Sequence, residues 1–170
     1  MTKKRFAISF GLILFAAGLC RATTVERLAL DDLVKKANKI VAGRVSSSRT
    51  YWGVNGKIIL TTYTVDVEES IKGQASPSVE LTTIGGKIGN IELRVSGMPS
   101  FEKGERAVVF VENSGSFSTV VGLGQGKFNV TNGEVSNSVS GLAFPDGRPG
   151  SSLRMPLEAF KKQIRSLIRQ

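Results

Sequence analysis

Residues 57–73 read KIILTTYTVDVEESIKG. Within them Ile59, Tyr63, Val65 and Val67 are large and apolar, while Thr62, Thr64, Asp66 and Glu68 are polar. This is the period-two alternation of a strand with one face on a core and the other in water. Taken as one strand, the segment exceeds the usual length of about 3–10 residues, which requires coiling or a bulge, expected near Glu68 and Glu69. A long, bent strand of this kind predicts a small β-barrel.

Upstream, residues 49–56, RTYWGVNG, hold the only Trp, Trp52, beside Tyr51, and end in the Asn55-Gly56 turn signal. They read as a loop whose aromatic side chains either anchor a partner or fold back over the barrel mouth. Residues 40–48, IVAGRVSSS, have the β-branched content of a first strand, with Gly43 marking a bend or a close backbone approach. Before them, Leu30, Leu33, Val34 and Ala37 recur at helical spacing, with Asp31, Asp32, Lys35 and Lys36 off that face. A short amphipathic helix is expected there, its acids preceding its bases in the order the helix dipole favours.

Downstream, Val79 and Leu81 alternate with Glu80 and Thr82, and Ile91, Leu93 and Val95 with Glu92 and Arg94, two further strands separated by a turn at Gly85, Gly86 and Gly89. Residues 96–105 form a loop with Phe101 as its inward plug. Residues 107–111, AVVFV, are apolar at every position, which marks a central strand covered on both faces. A strand is expected over 117–121, and Phe128 and Val130 alternate with Asn129 and Thr131 ahead of Asn132-Gly133. That pair is the strongest hairpin signal in the chain, and a two-residue turn there sets Val130 opposite Val135. Residues 136–152 are rich in Ser, Gly and Pro and read as irregular. Pro156 then starts a final helix, with Leu157, Phe160, Ile164 and Leu167 along one face and Lys161, Lys162, Arg165 and Arg169 on the rest.

The 170 residues suit one domain with a real core. Lys3, Lys4 and Arg5 precede an apolar run over 6–19, and Ala22 follows a short polar step, the pattern of a secretory signal peptide cut after Ala22. The run is shorter than the roughly 18 residues of a membrane span. The expected organisation is a signal peptide, 1–22, and a single exported domain, 23–170, in the periplasm or outside the cell with no transmembrane segment after processing. Cys20 is the only cysteine and follows Leu19 where lipoprotein processing favours a small residue, so lipid anchoring through Cys20 is not expected. Without a thiol after cleavage the domain must be stabilised by packing rather than disulfides. Cleavage also takes away Lys3, Lys4, Arg5 and Arg21 and no acid, lowering the formal charge from +9 to +5, an excess that favours an acidic partner or surface but that solubility alone also explains.

There is no histidine, which removes the commonest general base, the commonest metal ligand and every His-dependent triad. Loss of Cys20 removes thiol catalysis and thiolate zinc sites. Ser100 and Lys103 are spaced as Ser-x-x-Lys but in a loop, not at a helix start. Glu68 and Glu69 are neighbours on a strand, which predicts side chains on opposite faces and no shared substrate. The glycine-rich residues 122–127, GLGQGK, precede a strand rather than the helix that phosphate binding requires, so a turn or bulge is expected. Residues 145–147, PDG, lack the acidic density of a calcium loop. No enzymatic activity, no cofactor, no metal and no nucleic-acid partner are expected.

The runs KIVAGRVSS, TYTVDVEESIKG, VELTT and FEKGERAVVFVE, taken in order, resemble the barrel of the netrin-like and tissue-inhibitor-of-metalloproteinase group, an OB-fold variant. Extended by VVGLGQGKFNV and a C-terminal helix, the order is also similar to a family of uncharacterised exported bacterial proteins. The resemblance covers about residues 40–130. It implies a mainly β fold: a small OB-like antiparallel β-barrel with a short N-terminal helix and a C-terminal amphipathic helix. In the inhibitors a paired N-terminal cysteine chelates the protease zinc; Cys20 has no partner here, so that mechanism does not carry over. Residues 49–56 do match the position of a contact loop in the group, and OB-folds bind ligands across such loops.

The functional expectation is therefore a non-catalytic exported binding module that engages another exported protein, a protease being one candidate, through Tyr51, Trp52 and Asn55. The alternative is a cell-envelope structural or polyanion-binding protein that contacts an anionic surface through Lys161, Lys162, Arg165 and Arg169.

Overall fold

A computed structural model describes residues 24–170; the expected signal peptide and Cys20 lie outside the described residues. The fold is mainly β, with ten strands and two helices (α1, Leu30–Lys36; α2, Leu157–Ile168) among the described residues. The strands are β1 (Lys39–Trp52), β2 (Ile59–Lys72), β3 (Ser78–Ile84), β4 (Gly86–Ile88), β5 (Ile91–Leu93), β6 (Arg106–Ser114), β7 (Phe117–Val120), β8 (Lys127–Thr131), β9 (Glu134–Asn137) and β10 (Arg154–Pro156). All pair antiparallel in the order β10-β9-β8-β6-β1-β2-β3, with β7 also on β6 and β4-β5 a separate ribbon. The sheet rolls until β3 and β7 touch, but no ladder joins them, so the barrel is open at that seam.

The strand expected over 57–73 forms as one 14-residue element. Its register against β1 slips between Ala42↔Glu69 and Gly43↔Val67, leaving Glu68 as the extra residue of a bulge. A second slip, between Val45↔Val65 and Ser47↔Thr64, leaves Ser46 unpaired on β1. Gly43 allows the close approach at the first bulge, where a Cβ would lie 2.3 Å from the Asp66 carbonyl oxygen.

Two cores share the sheet. Inside the barrel, Tyr63, Val65, Val79 and Leu81 pack with Val41, Val45, Ala107, Val109, Val111 and Val120, and Phe101 plugs the cluster with its ring 5.0 Å from Tyr63. On the other side α1 and α2 bury Leu33, Val34, Phe160 and Ile164 against Ile40, Val108, Phe110, Phe128 and Val135. Strand β6 supplies alternate residues to both, as its uninterrupted apolar run requires. The Asn132-Gly133 turn holds Val130 opposite Val135, with φ of 52° and 78° at the two turn residues.

Three expectations need correction. The loop expected at 49–56 is strand as far as Trp52, because Arg49, Thr50, Tyr51 and Trp52 pair with Thr62, Thr61, Leu60 and Ile59. Thr62, expected in water, is buried, and its hydroxyl bonds Thr82 Oγ1 at 2.8 Å and Tyr51 Oη at 3.2 Å. Glu68 and Glu69 do not diverge: the bulge turns both to the helix side, where Glu68 meets Arg106 and Glu69 meets α2.

Candidate functional site

The β1–β2 hairpin projects past the end of β6, whose pairing with β1 stops at Arg44↔Arg106. At its tip the Gly53 N–H donates to the Ile58 carbonyl at 2.8 Å and the Gly56 N–H to the Gly53 carbonyl at 2.8 Å, closing a turn over 53–58. Gly56 takes φ +61° there, which glycine adopts without strain. The turn carries its apolar side chains outward: Trp52 is 41% exposed, Ile58 48% and Val54 fully exposed. Ile84, which pairs with Leu60, and Ile91 on the β4-β5 ribbon add exposed apolar surface at the same end of the sheet.

The three candidate residues divide. Tyr51 is half-buried and anchored, its hydroxyl on Thr62 and its ring beneath the Arg49 guanidinium at 5.0 Å. Trp52 and Asn55 lie at the exposed end. Val54 and Ile58 went unread in the sequence. The available signal was that Ile58 falls out of step with Ile59, so one of the two must face water.

Below the hairpin the barrel mouth opens into a cavity of about 430 Å³ lined by Tyr63, Thr83, Leu93, Met98 and Ser100, among others. Thr50, Thr61 and the Gly85 carbonyl form a bonded chain at its rim, 3.0 and 2.7 Å long per step. Glu92 and Arg94 on its wall pair with each other at 2.6 Å, and Arg94 holds the Glu92 carboxyl below its ordinary value. Ser100 is exposed, and its carbonyl accepts a bond from Lys127, whose ammonium also meets Glu105 at 2.7 Å and lies 4.4 Å over the Phe101 ring. No bond joins Ser100 to Lys103 among the described residues, and no group of three or more His, Cys, Asp or Glu gathers there as a metal site.

The basic helix divides as well. Lys161 meets Glu69 at 2.8 Å and Glu158 at 2.9 Å with its side chain only 12% exposed, and Arg165 also binds Glu69. Those bonds, Glu69 first and Glu158 second, raise the Lys161 ammonium above its ordinary value. Two of the four cations expected to meet an anionic surface therefore dock α2 onto β2, leaving Lys162 and Arg169 exposed. Residues 123–126 of the glycine-rich run form a 3-10 turn that continues into β8, and Gly124 and Gly126 are needed for space: a Cβ would lie 2.6 and 2.4 Å from the Ser138 and Val121 carbonyl oxygens. No described helix is long and apolar enough to cross a membrane.

The chain thus belongs to the mainly β class, with an open antiparallel barrel whose far end is apolar and exposed. No family model, curated protein or solved structure matches it.

Proposed function

We propose that the chain is an exported, non-catalytic binding module that engages another exported protein through the tip of the β1–β2 hairpin. The observation that carries this is the exposure of Trp52, Val54 and Ile58 together on one turn. Clustered exposed apolar side chains mark interaction sites, and Trp is the residue most often found as an energetic anchor. Export rests on the basic and apolar pattern of residues 1–22. A netrin-like, OB-type reading is supported by the circuit β1-β2-β3-β7-β6, in which one seam lacks a ladder. That reading makes an exported protease one candidate partner. The polyanion-binding alternative has less support, because Glu69 already engages Lys161 and Arg165.

The test is affinity recovery of interacting proteins from the cell envelope with the exported protein and with the double variant Trp52→Ala, Val54→Ser. The wild type should retain one dominant partner that the variant loses while its thermal midpoint stays within a few degrees. Equal recovery by both proteins excludes the hairpin tip. A partner released in steep proportion to salt and insensitive to the double variant would favour the basic helix instead.

A further inference from the structure

The hairpin that carries Trp52 also has a free strand edge. Up to Val45, β1 is bonded on both sides: its N–H donates to the Glu105 carbonyl at 2.9 Å, and its carbonyl accepts from the Gly104 N–H at 2.8 Å. The Ser46 bulge follows at once, its hydroxyl bonding Asp66 Oδ1 at 2.9 Å, and from Ser47 onward β1 pairs with β2 alone. A bulge is a common device for ending a ladder.

Which main-chain groups are left over follows from the register. Gly53 N–H bonds the Ile58 carbonyl, and Tyr51↔Leu60, Arg49↔Thr62 and Ser47↔Thr64 are in step with that pair. Bonded and non-bonded pairs alternate in an antiparallel ladder, so the N–H and C=O groups of Ser48, Thr50 and Trp52 point away from β2. Among the described residues no donor or acceptor meets them outside the β1–β2 ladder. The edge from Ser47 to Trp52 is about 20 Å long at the usual strand rise. Its protections against added strands are Arg49 and the Ser46 bulge at its start; it has no Pro and no Lys, and among the described residues no segment bonds its outward main-chain groups, although Gly86 of β4 packs against the Thr50 side chain.

We propose that this edge of β1 binds an extended, acidic segment of the partner protein by β-strand addition. The proposal rests on the reading of the hairpin as the partner site and specifies how that site works. Main-chain bonds to Ser48, Thr50 and Trp52 supply the register, and side chains on alternate positions of the added strand meet Arg49 and Tyr51 on one face and Thr50 and Trp52 on the other. Charge selects the occupant. Arg49 and Lys57 stand at this end without a salt bridge among the described residues; of the acids nearby, Glu92 is held by Arg94 and lies across the ribbon from Lys87, and Asp66 accepts from Ser46 at the start of the edge. A second copy of this basic chain brings the same cations to the edge, whereas an acidic strand places a carboxylate against Arg49.

The test uses the full-length protein exported from cells with a photo-crosslinking amino acid in place of Ser48. The crosslinked segment is identified by mass spectrometry and synthesised, and amide hydrogen exchange of the unmodified protein is followed with that peptide. The expected result is one segment containing at least one acid, which slows exchange at Ser48, Thr50 and Trp52 at least tenfold. Thr50→Pro removes one outward N–H while leaving every main-chain bond to β2, and Thr50→Val, which loses only the hydroxyl bond to Thr61, is its control: the proline variant should abolish the crosslink and the valine variant keep it. Arg49→Glu should weaken the peptide at least tenfold. The proposal is overturned by crosslinks to many unrelated segments or to a second copy of this chain, by no crosslink, or by a peptide that binds without slowing those three amides. A partner lost on Trp52→Ala, Val54→Ser but leaving the three amides unprotected would keep the hairpin as the site and reject strand addition.

Discussion

At Gly43 a missing side chain fixes the geometry of the longest strand pair. A Cβ at this position would meet the Asp66 carbonyl oxygen at 2.3 Å and Val65 Cγ1 at 2.9 Å; the carbonyl belongs to the backbone of β2 and cannot move without disturbing the strand pair, and the methyl is held in the barrel core. Gly43→Ala should therefore cost about 3 kcal/mol, the upper range for overpacking. Gly56→Ala should cost only about 1 kcal/mol, since the space is open and the penalty is that of a left-handed backbone alone. Urea midpoints of the two variants give the comparison, and equal losses would show that the approach of β1 to β2 is not what requires glycine. The sequence disclosed the Gly43 contact only as one of two options, a bend or a close approach, because a glycine in a strand pattern does not say which neighbour it admits. The direction of Glu69 was less legible still. Alternation along the strand predicts opposite faces for Glu68 and Glu69, and only the register slip against Ala42 and Gly43 reveals the shared side.

Between elements, the contact of α2 with β2 joins residues 92 and 96 positions apart, Glu69 with Lys161 and Arg165. Periodicity could announce the helix and its apolar face, and Phe160 and Ile164 are indeed fully buried. It could not say which charges on the opposite flank were already taken, because that depends on a long-range partner. The same limit explains the extension of β1 through Trp52. The Asn55-Gly56 turn signal draws residues 49–52 into the loop, and only their pairing with β2 shows them to be strand. By contrast the Asn132-Gly133 hairpin and the two-faced β6 were legible, being set by local turn geometry and by an unbroken apolar run. The Lys161 contact makes a pH prediction. Its ammonium is raised above the ordinary 10.5, so its contribution to stability is whole at neutral pH and up to about that value, and is lost as pH climbs through the higher folded value. Lys161→Met should lower stability by about 1–2 kcal/mol at pH 7, between the range of exposed pairs and that of buried charged bonds. The gap to wild type should close in strongly alkaline urea titrations; a gap that persists unchanged would place the effect in packing of the stem.

For the whole molecule the consequence of two cores on one sheet is cooperativity. Val109 and Phe110 are adjacent in β6 and both fully buried, yet Val109 faces the barrel and Phe110 the helices, where its ring lies 5.6 Å from Phe128 and 6.2 Å from Phe160. If either core could melt alone, β6 would have to keep one face packed while the other met water, and its ladders to β1 and β8 would lose their backing. A single transition is therefore expected. Two probes separate the cores: Trp52 is the only Trp and sits on the barrel hairpin, while far-ultraviolet circular dichroism at the helical minimum reports α1 and α2. Val109→Ala should cost about 2–3 kcal/mol and Phe110→Ala about 3–5 kcal/mol by cavity formation. Each should shift the fluorescence and dichroism curves together, as a two-state domain requires. Should Phe110→Ala move the dichroism curve alone and leave Trp52 fluorescence in place, the helical layer would be a separate unit that unfolds from a barrel stable without it.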